Sequence, residues 1–128
     1  KRPLLIGVTQ LTSTTEEEMQ RDQGIMMTLE ESVIHYAGKT KEAGLDGVVC
    51  SPWEAEAIHK ACGDAFLAVT PGIRLAEGNH HDQNRVADPA KAKELGSNLI
   101  VVGRSITSAA SPLKAYKEVI ENWESDRK

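Results

Sequence analysis

The sequence has no surplus of basic charge: 15 Lys and Arg stand against 19 Asp and Glu, a formal net charge of −4. That balance argues against a nucleic-acid surface, which carries a basic field. No apolar run approaches the roughly 20 residues a membrane helix needs, so no membrane span is expected. Cysteine is scarce. Cys50 ends an apolar run and Cys62 ends a helical pattern, so both are expected as buried, reduced thiols of a cytoplasmic protein, and nothing asks for a disulfide. No secretory leader is expected either, because Lys1-Arg2-Pro3 runs straight into a short strand. No low-complexity segment or linker divides the chain. One domain over residues 1–128 is the expectation, long enough for a real core.

Four short apolar runs are present instead of one long one: Leu4-Leu5-Ile6-Gly7-Val8, Gly47-Val48-Val49-Cys50, Phe66-Leu67-Ala68-Val69 and Leu99-Ile100-Val101-Val102. They do not alternate with polar residues, which suits strands of a parallel sheet covered on both faces. Helical patterns separate them. Between Thr28 and Ala43, Leu29, Val33, Tyr36, Ala37 and Thr40 fall on one face, and Thr28 with Glu31 has capping-box spacing. Ser51-Pro52-Trp53-Glu54 starts a second helix, with Trp53, Ala57, Ile58 and Ala61 predicted on its inner face. Asp88-Pro89 and Ser111-Pro112 start two more, the last with a stripe of Leu113, Tyr116, Val119, Ile120 and Trp123. Gly44, Gly63 and Gly96 stand where helices should stop. The order is strand, loop, helix, glycine, repeated four times: a βα array with a parallel sheet and right-handed crossovers. Periodicity leaves two architectures open, an open doubly wound sheet or half of a (βα)8 barrel. Both bind ligands on the loops beyond the carboxyl ends of the strands.

Those loops carry the candidate chemistry. In the first, the hydroxyls of Thr9 to Thr15 either read a polar ligand or cap a helical segment near Glu16–Gln20. The second is almost absent, since Cys50 passes directly to Ser51-Pro52. The third places Arg74 just past a Pro71-Gly72 turn and continues through a polar stretch, Leu75 to Val86, which is either a lid over a ligand or a solvated surface loop. His80, His81 and Asp82 lie in that stretch. Adjacent histidines point apart and no other cluster completes a coordination set, so no metal site is expected. His35 and His59 fall in helical patterns and are read as surface or boundary residues. The fourth loop is Gly103-Arg104-Ser105-Ile106-Thr107. Gly103 permits close backbone approach, residues 104–107 can start a short helix, and the Arg104 guanidinium is a planar fork suited to phosphate oxygens. Consecutive loops that each carry an arginine favour a phosphate site over surface ion pairs.

Five stretches together resemble bacterial orotidine 5'-phosphate decarboxylases: Val8-Thr9-Gln10-Leu11-Thr12-Ser13, Gly44-Leu45-Asp46-Gly47-Val48-Val49-Cys50-Ser51, Val69-Thr70-Pro71-Gly72-Ile73-Arg74, Asp82-Gln83-x-Arg85-Val86 and Ile100-Val101-Val102-Gly103-Arg104-Ser105-Ile106-Thr107. They run in order along essentially the whole chain. The resemblance implies an α/β fold with parallel strands, the (βα)4 half of a TIM-type (βα)8 barrel, from the fifth strand to the carboxyl terminus. It implies conversion of orotidine monophosphate to UMP and CO2 in pyrimidine biosynthesis, with no cofactor. Carried across by motif, it makes Arg74 and Arg104 phosphate ligands, with Gly103 in backbone contact. Gln83 becomes the lid residue over the phosphate, Thr12 the hydroxyl that meets the pyrimidine, and Pro71 part of the wall near the base.

The family's hallmark of catalysis, an Asp-x-Lys-x-x-x-Asp stretch ending a strand, has no counterpart here; Asp88-Pro89-Ala90-Lys91 opens a helix with the wrong spacing. No catalytic residue is therefore assigned. The expected partners are the substrate or UMP, an amino-terminal half-barrel of the same enzyme, and further copies of the chain, because a half-barrel leaves two sheet edges unpaired. Two other readings stand beside this one: a self-standing phosphate- or nucleotide-binding half-barrel, and a self-associating fragment without catalysis. A related sugar-phosphate decarboxylase or aldolase is an alternative parent, against which Thr9-Gln10-Leu11-Thr12 favours the pyrimidine enzyme.

Overall fold

The computed structural model describes residues 2–75 and 86–125. Its centre is a sheet of four parallel strands, β1 (Ile6–Val8), β2 (Gly47–Val49), β3 (Leu67–Thr70) and β4 (Leu99–Ile100), which lie side by side in chain order. β1, β2 and β4 are shorter than the apolar runs that encode them, and β3 is shifted by one residue to end at Thr70. At β4 only two residues pair, although the Val101 N–H still donates to the Thr70 carbonyl at 3.0 Å.

Register sorts the strand residues into two faces. Gly7, Val48 and Ala68 stand opposite one another, as do Val8, Val49, Val69 and Leu99. Because side chains alternate along a strand, the first row points to one face and the second to the other. The first face is the core. Val48, Cys50 and Ala68 pack there with Val33, Ala37, Ala55, Ile58, Cys62 and Phe66. Cys50 and Cys62 lie inside this cluster without a disulfide between them, and burial pushes the Cys62 thiol up from its ordinary pKa. Gly47 is fixed by closeness rather than by a turn: a Cβ there would lie 2.4 Å from the Leu67 carbonyl oxygen.

Helices cover the core face. A short helix α1 (Glu16–Gln23) follows β1, and the Thr15 hydroxyl caps it by accepting from the Glu18 N–H. Helix α2 (Leu29–Glu42) has the expected capping box, with Thr28 and Glu31 exchanging bonds of 3.1 and 3.0 Å. After β2 a 3-10 turn, Pro52–Glu54, leads into α3 (Ala55–Cys62), and the Glu54 carboxylate accepts from the Ser51 N–H. Helix α4 (Pro89–Leu95) is capped by Asp88, and α6 (Pro112–Glu124) by Ser111. A single turn, α5 (Arg104–Thr107), follows β4. Gly44, Gly63 and Gly96 all take positive φ at the helix ends, as their positions predict.

Two predicted helix faces are corrected. Of Trp53, Ala57, Ile58 and Ala61, predicted on the inner face of the helix, Ile58 is buried there with Ala55 and Cys62, while Trp53 is 51% exposed, Ala57 is half-buried and Ala61 lies outside. The cause is the 3-10 turn. With three residues per turn instead of 3.6, it shifts the phase of everything after it. On α2, Val33 and Ala37 are buried but Tyr36 is exposed. On α6 the predicted stripe exists but is only partly covered. Val119 is buried, Leu113 and Tyr116 are exposed, and Tyr116, Ile120 and Trp123 line an apolar cavity of about 270 Å³ against Ile100 and Val102.

The second sheet face is covered unevenly: Val69 is buried and Val49 half-buried. Val8, Leu99 and Val101 are about half exposed there. An apolar sheet face left open in this way, with strands in simple sequential order, is the concave side of a barrel that four strands cannot close.

One carboxylate ties the amino-terminal segment to the sheet. Asp46, just before β2, accepts from the Arg2 guanidinium and from the Leu5 N–H, both at 2.8 Å. The Arg2 bond and then the Leu5 N–H hold its carboxyl below the usual carboxylate range. A carboxyl depressed in the folded state stabilises the fold above its ordinary pKa, and that stabilisation is lost as pH falls through the folded value. Asp46→Asn is therefore expected to lower the thermal midpoint at pH 7 and to flatten its fall below about pH 4, as followed by circular dichroism. An unchanged acid limb would remove Asp46 from the account.

Candidate functional site

The carboxyl ends of all four strands meet one rim, because parallel strands in one sheet point the same way. β1 delivers Thr9, Gln10 and Thr12 to that rim, and all three are buried despite their polarity. Burial of polar groups requires partners. The Thr9 hydroxyl donates to the Val49 carbonyl at 2.7 Å. The Gln10 amide forms a reciprocal pair with Gln23 at the end of α1, at 3.1 and 3.2 Å, and also reaches the Ser32 hydroxyl of α2 at 3.2 Å. Gln10 therefore pins the first loop to two helices, and Thr12 sits inside the loop so held.

β3 ends in Thr70, whose hydroxyl lies 2.8 Å from that of Ser97. Gly72 follows with φ +77, a left-handed conformation that side-chain-bearing residues avoid. This turn brings Ile73 and Arg74 back under the rim. Arg74 is only 7% exposed, and its Nη1 donates to the Ile73 carbonyl at 2.9 Å. A guanidinium is rarely buried to this degree unless its donors are used.

Beyond β4 the chain runs through Val101 and Val102 to Gly103, which stands at the start of α5. The N–H groups of Ile106 and Thr107 both donate to the Gly103 carbonyl, at 2.9 and 3.0 Å. The expected short helix over residues 104–107 is thus present, with Arg104 exposed on it. The Ser105 hydroxyl lies 3.5 Å from the Ile73 carbonyl, the oxygen that also receives Arg74. The third and fourth loops meet at that carbonyl. The two sequence-predicted arginines, Arg74 and Arg104, therefore come from loops in contact.

Thr12 stands apart from them. It belongs to the loop after β1, three strands across the sheet from β4, or about 14 Å at the usual strand spacing. Gln83, His80, His81 and Asp82 lie outside the described residues, so the lid expectation has no structural counterpart to compare. His35 is exposed on α2, and His59 is half-buried on α3, where its ring lies 2.9 Å from the Gly96 carbonyl. Among the described residues no group of three or more His, Cys, Asp or Glu side chains is placed to hold a metal ion, and no helix is long and apolar enough to cross a membrane.

The order of these loops along a four-strand array matches a known family. A profile of the orotidine 5'-phosphate decarboxylase / HUMPS family matches residues 1–119. The chain belongs to this family. An orotidine 5'-phosphate decarboxylase of Lysinibacillus sphaericus (strain C3-41) is 62% identical over 124 residues, covering 97% of this chain and 53% of the relative. One from Bacillus cereus (strain Q1) is 60% identical over 124 residues, covering 97% and 52%. The crystal structure of orotidine 5'-phosphate decarboxylase from Lactobacillus acidophilus superposes with a TM-score of 0.79 at 40% identity, covering 96% of this chain and 50% of that one. The chain spans about half the length of the curated relatives it matches. Its fold is correspondingly half of the TIM-type barrel of its solved neighbours, which decides between the two architectures that periodicity left open.

Two residues of the rim carry more than the sequence reading gave them. Gln10 was legible only as part of a motif, because an amide pair formed 13 residues apart leaves no local signal. Trp53, predicted on the inner face of its helix, instead sends its indole across the surface to the Val86 carbonyl. The Gln10 network can be tested directly. Gln10→Ala would leave Gln23 and Ser32 without their shared partner, and is expected to cost about 1–3 kcal/mol of stability in urea unfolding. A loss below ~0.5 kcal/mol would mean that water replaces the amide.

Proposed function

We propose that this chain is the carboxyl-terminal half-barrel, residues 1–128, of an orotidine 5'-phosphate decarboxylase, and that it carries the loops that grip the substrate rather than those that act on it. The observation that carries this reading is the meeting of the Arg74 and Gly103–Thr107 loops at the Ile73 carbonyl, in a chain about 60% identical to decarboxylases along nearly its whole length. In this reading Arg74 and Arg104 hold the substrate phosphate, with the Gly103 backbone beside it. Thr12 meets the pyrimidine ring from the opposite edge of the sheet, and Gln83 closes over the phosphate. Two guanidinium groups suit a phosphate because each presents paired N–H donors to its oxygens without any proton to lose. No cofactor enters the scheme, and the reaction takes place in the cytoplasm.

The distribution of labour has a physical basis. Phosphate is remote from the bond that breaks, so its binding energy can be spent on fixing the substrate and closing the site. That energy accelerates nothing unless a charged array waits at the carboxylate. In this reading the array belongs to the amino-terminal half, and the isolated chain turns nothing over. The purified chain is expected to show no decarboxylation of orotidine monophosphate by the fall in substrate absorbance, and to gain activity when mixed or co-expressed with an amino-terminal half from a relative. Arg104→Ala in that assembly is expected to raise KM by about tenfold or more, the loss of a charge-assisted contact. Robust turnover by the chain alone would overturn the proposed division.

The open face and edges support a second expectation. β1 and β4 border the sheet, Val8 and Val101 are exposed, and an apolar cavity lies between β4 and α6. The amino-terminal half would cover all of these. Without it, the edges invite other strands, and the chain is expected to form homodimers or larger assemblies. Sedimentation velocity at micromolar concentration checks this, and a monodisperse monomer would refute it.

A further inference from the structure

Trp53 is an exposed aromatic residue with an unusual attachment. Its side chain has one polar atom, and that atom is used at long range: the indole Nε1–H donates to the Val86 carbonyl at 3.0 Å, 33 residues along the chain. The next residue, Ala87, is bonded twice to the arginine loop. Its N–H donates to the Gly72 carbonyl at 3.1 Å, and its carbonyl accepts from the Arg74 N–H at 3.0 Å. Ile73 stands opposite Ala87 in a parallel bridge. Asp88 then caps α4, and from that helix Lys91 Nζ lies 5.7 Å over the Trp53 ring.

These contacts form one connected path from Trp53 to Val86, Ala87, Gly72 and Arg74. Packing does not explain the indole, since half of it faces solvent. A tryptophan kept at the surface for its N–H is being used as a donor with reach. Its partner is the segment by which the chain returns to the Arg74 loop. Gly72 holds a left-handed conformation there, and a backbone turned in that way keeps its geometry only when its surroundings hold it.

We propose that Trp53 is a positioning residue for Arg74: its indole N–H fixes the Val86–Ala87 segment, and that segment clamps the backbone of the arginine loop from both sides. The proposal rests on the reading of Arg74 as a substrate ligand for its functional consequence, though not for the clamp itself. Trp53 touches no substrate in this scheme. It sets where the guanidinium stands, and an error of about 1 Å at a binding group is enough to weaken its contacts.

Trp53→Phe tests the clamp, because it keeps an aromatic ring beside Lys91, though a smaller one, and removes the donor. Amide hydrogen exchange of the full chain reads it without any ligand. The Arg74 and Ala87 amides are expected to exchange about tenfold faster, while those of Val48 and Ala68 in the core stay unchanged. Unchanged exchange at Arg74 and Ala87 would overturn the proposal, as would equal acceleration in the core, which marks general loosening. Lys91→Ala removes the cation and keeps the indole N–H, so it is expected to behave as the wild type; a match to Trp53→Phe would assign the effect to the ring contact and overturn the proposal. In the chain assembled with an amino-terminal half, Trp53→Phe is expected to raise KM for orotidine monophosphate about three- to tenfold with kcat retained. Equal loss in kcat and kcat/KM would count against a positioning role. Failure of the wild-type assembly to bind or turn over substrate would instead overturn the functional reading, and the exchange result would still decide the clamp.

Discussion

The row of Gly7, Val48 and Ala68 across three parallel strands is the constraint on which the rest depends. Val48 and Ala68 are completely buried against α2 and α3, and the small residues in the row let strands and helices approach closely. Gly47 adds a backbone contact with β3 that no side chain would permit. Burying this face fixes the register of every strand, since a slip of one residue would turn Val48 and Ala68 outward. Once register is fixed, all four strands end at one rim, and the loops after them become neighbours. The geometry around the Ile73 carbonyl follows from that packing.

Polar residues at the rim are held by hydrogen-bond networks. Gln10 bridges α1 and α2, the Thr9 hydroxyl bonds the β2 backbone, and Thr70 meets Ser97. Each partner lies on a different element. Such bonds make little net contribution singly, but leaving one member buried without the other is costly. The opposite face of the sheet is different in kind. It carries the exposed apolar residues Val8, Leu99 and Val101 and is bordered by the strand edges β1 and β4, as expected of half of the barrel seen in its solved neighbours. A chain covering half of its relatives and a sheet that ends without closing are two views of one fact.

Much of this was legible in the sequence because its signals are local. Capping at Thr28, Asp88 and Ser111 depends on residues within three positions, and so do the glycines that end the helices. Four continuous apolar runs between helices pointed to a parallel sheet. The misplaced face of α3 shows where local reading fails. Pro52, Trp53 and Glu54 do begin a helical segment, but as a 3-10 turn. That turn rotates the following residues, so Ala55 and Cys62 go inside in place of Trp53 and Ala61. The stripe on α6 was correct as a pattern. Leu113 and Tyr116 are nevertheless exposed, because amphipathic spacing sets which residues share a face and not how much of that face is covered.

The sequence by itself determined the array of strands and helices, the caps, and the two arginines that follow β3 and β4, because each is written in neighbouring residues. It also carried enough motif to identify the family. Tertiary structure alone decided which of those residues meet. It brought the Arg74 loop and the Ser105 hydroxyl to one carbonyl, paired Gln10 with Gln23, and sent the Trp53 indole to Val86. These contacts join residues 13 to 33 positions apart, and their existence depends on strand order and helix phase. Both are set by how the whole chain buries its apolar face, a property that no short stretch of sequence contains.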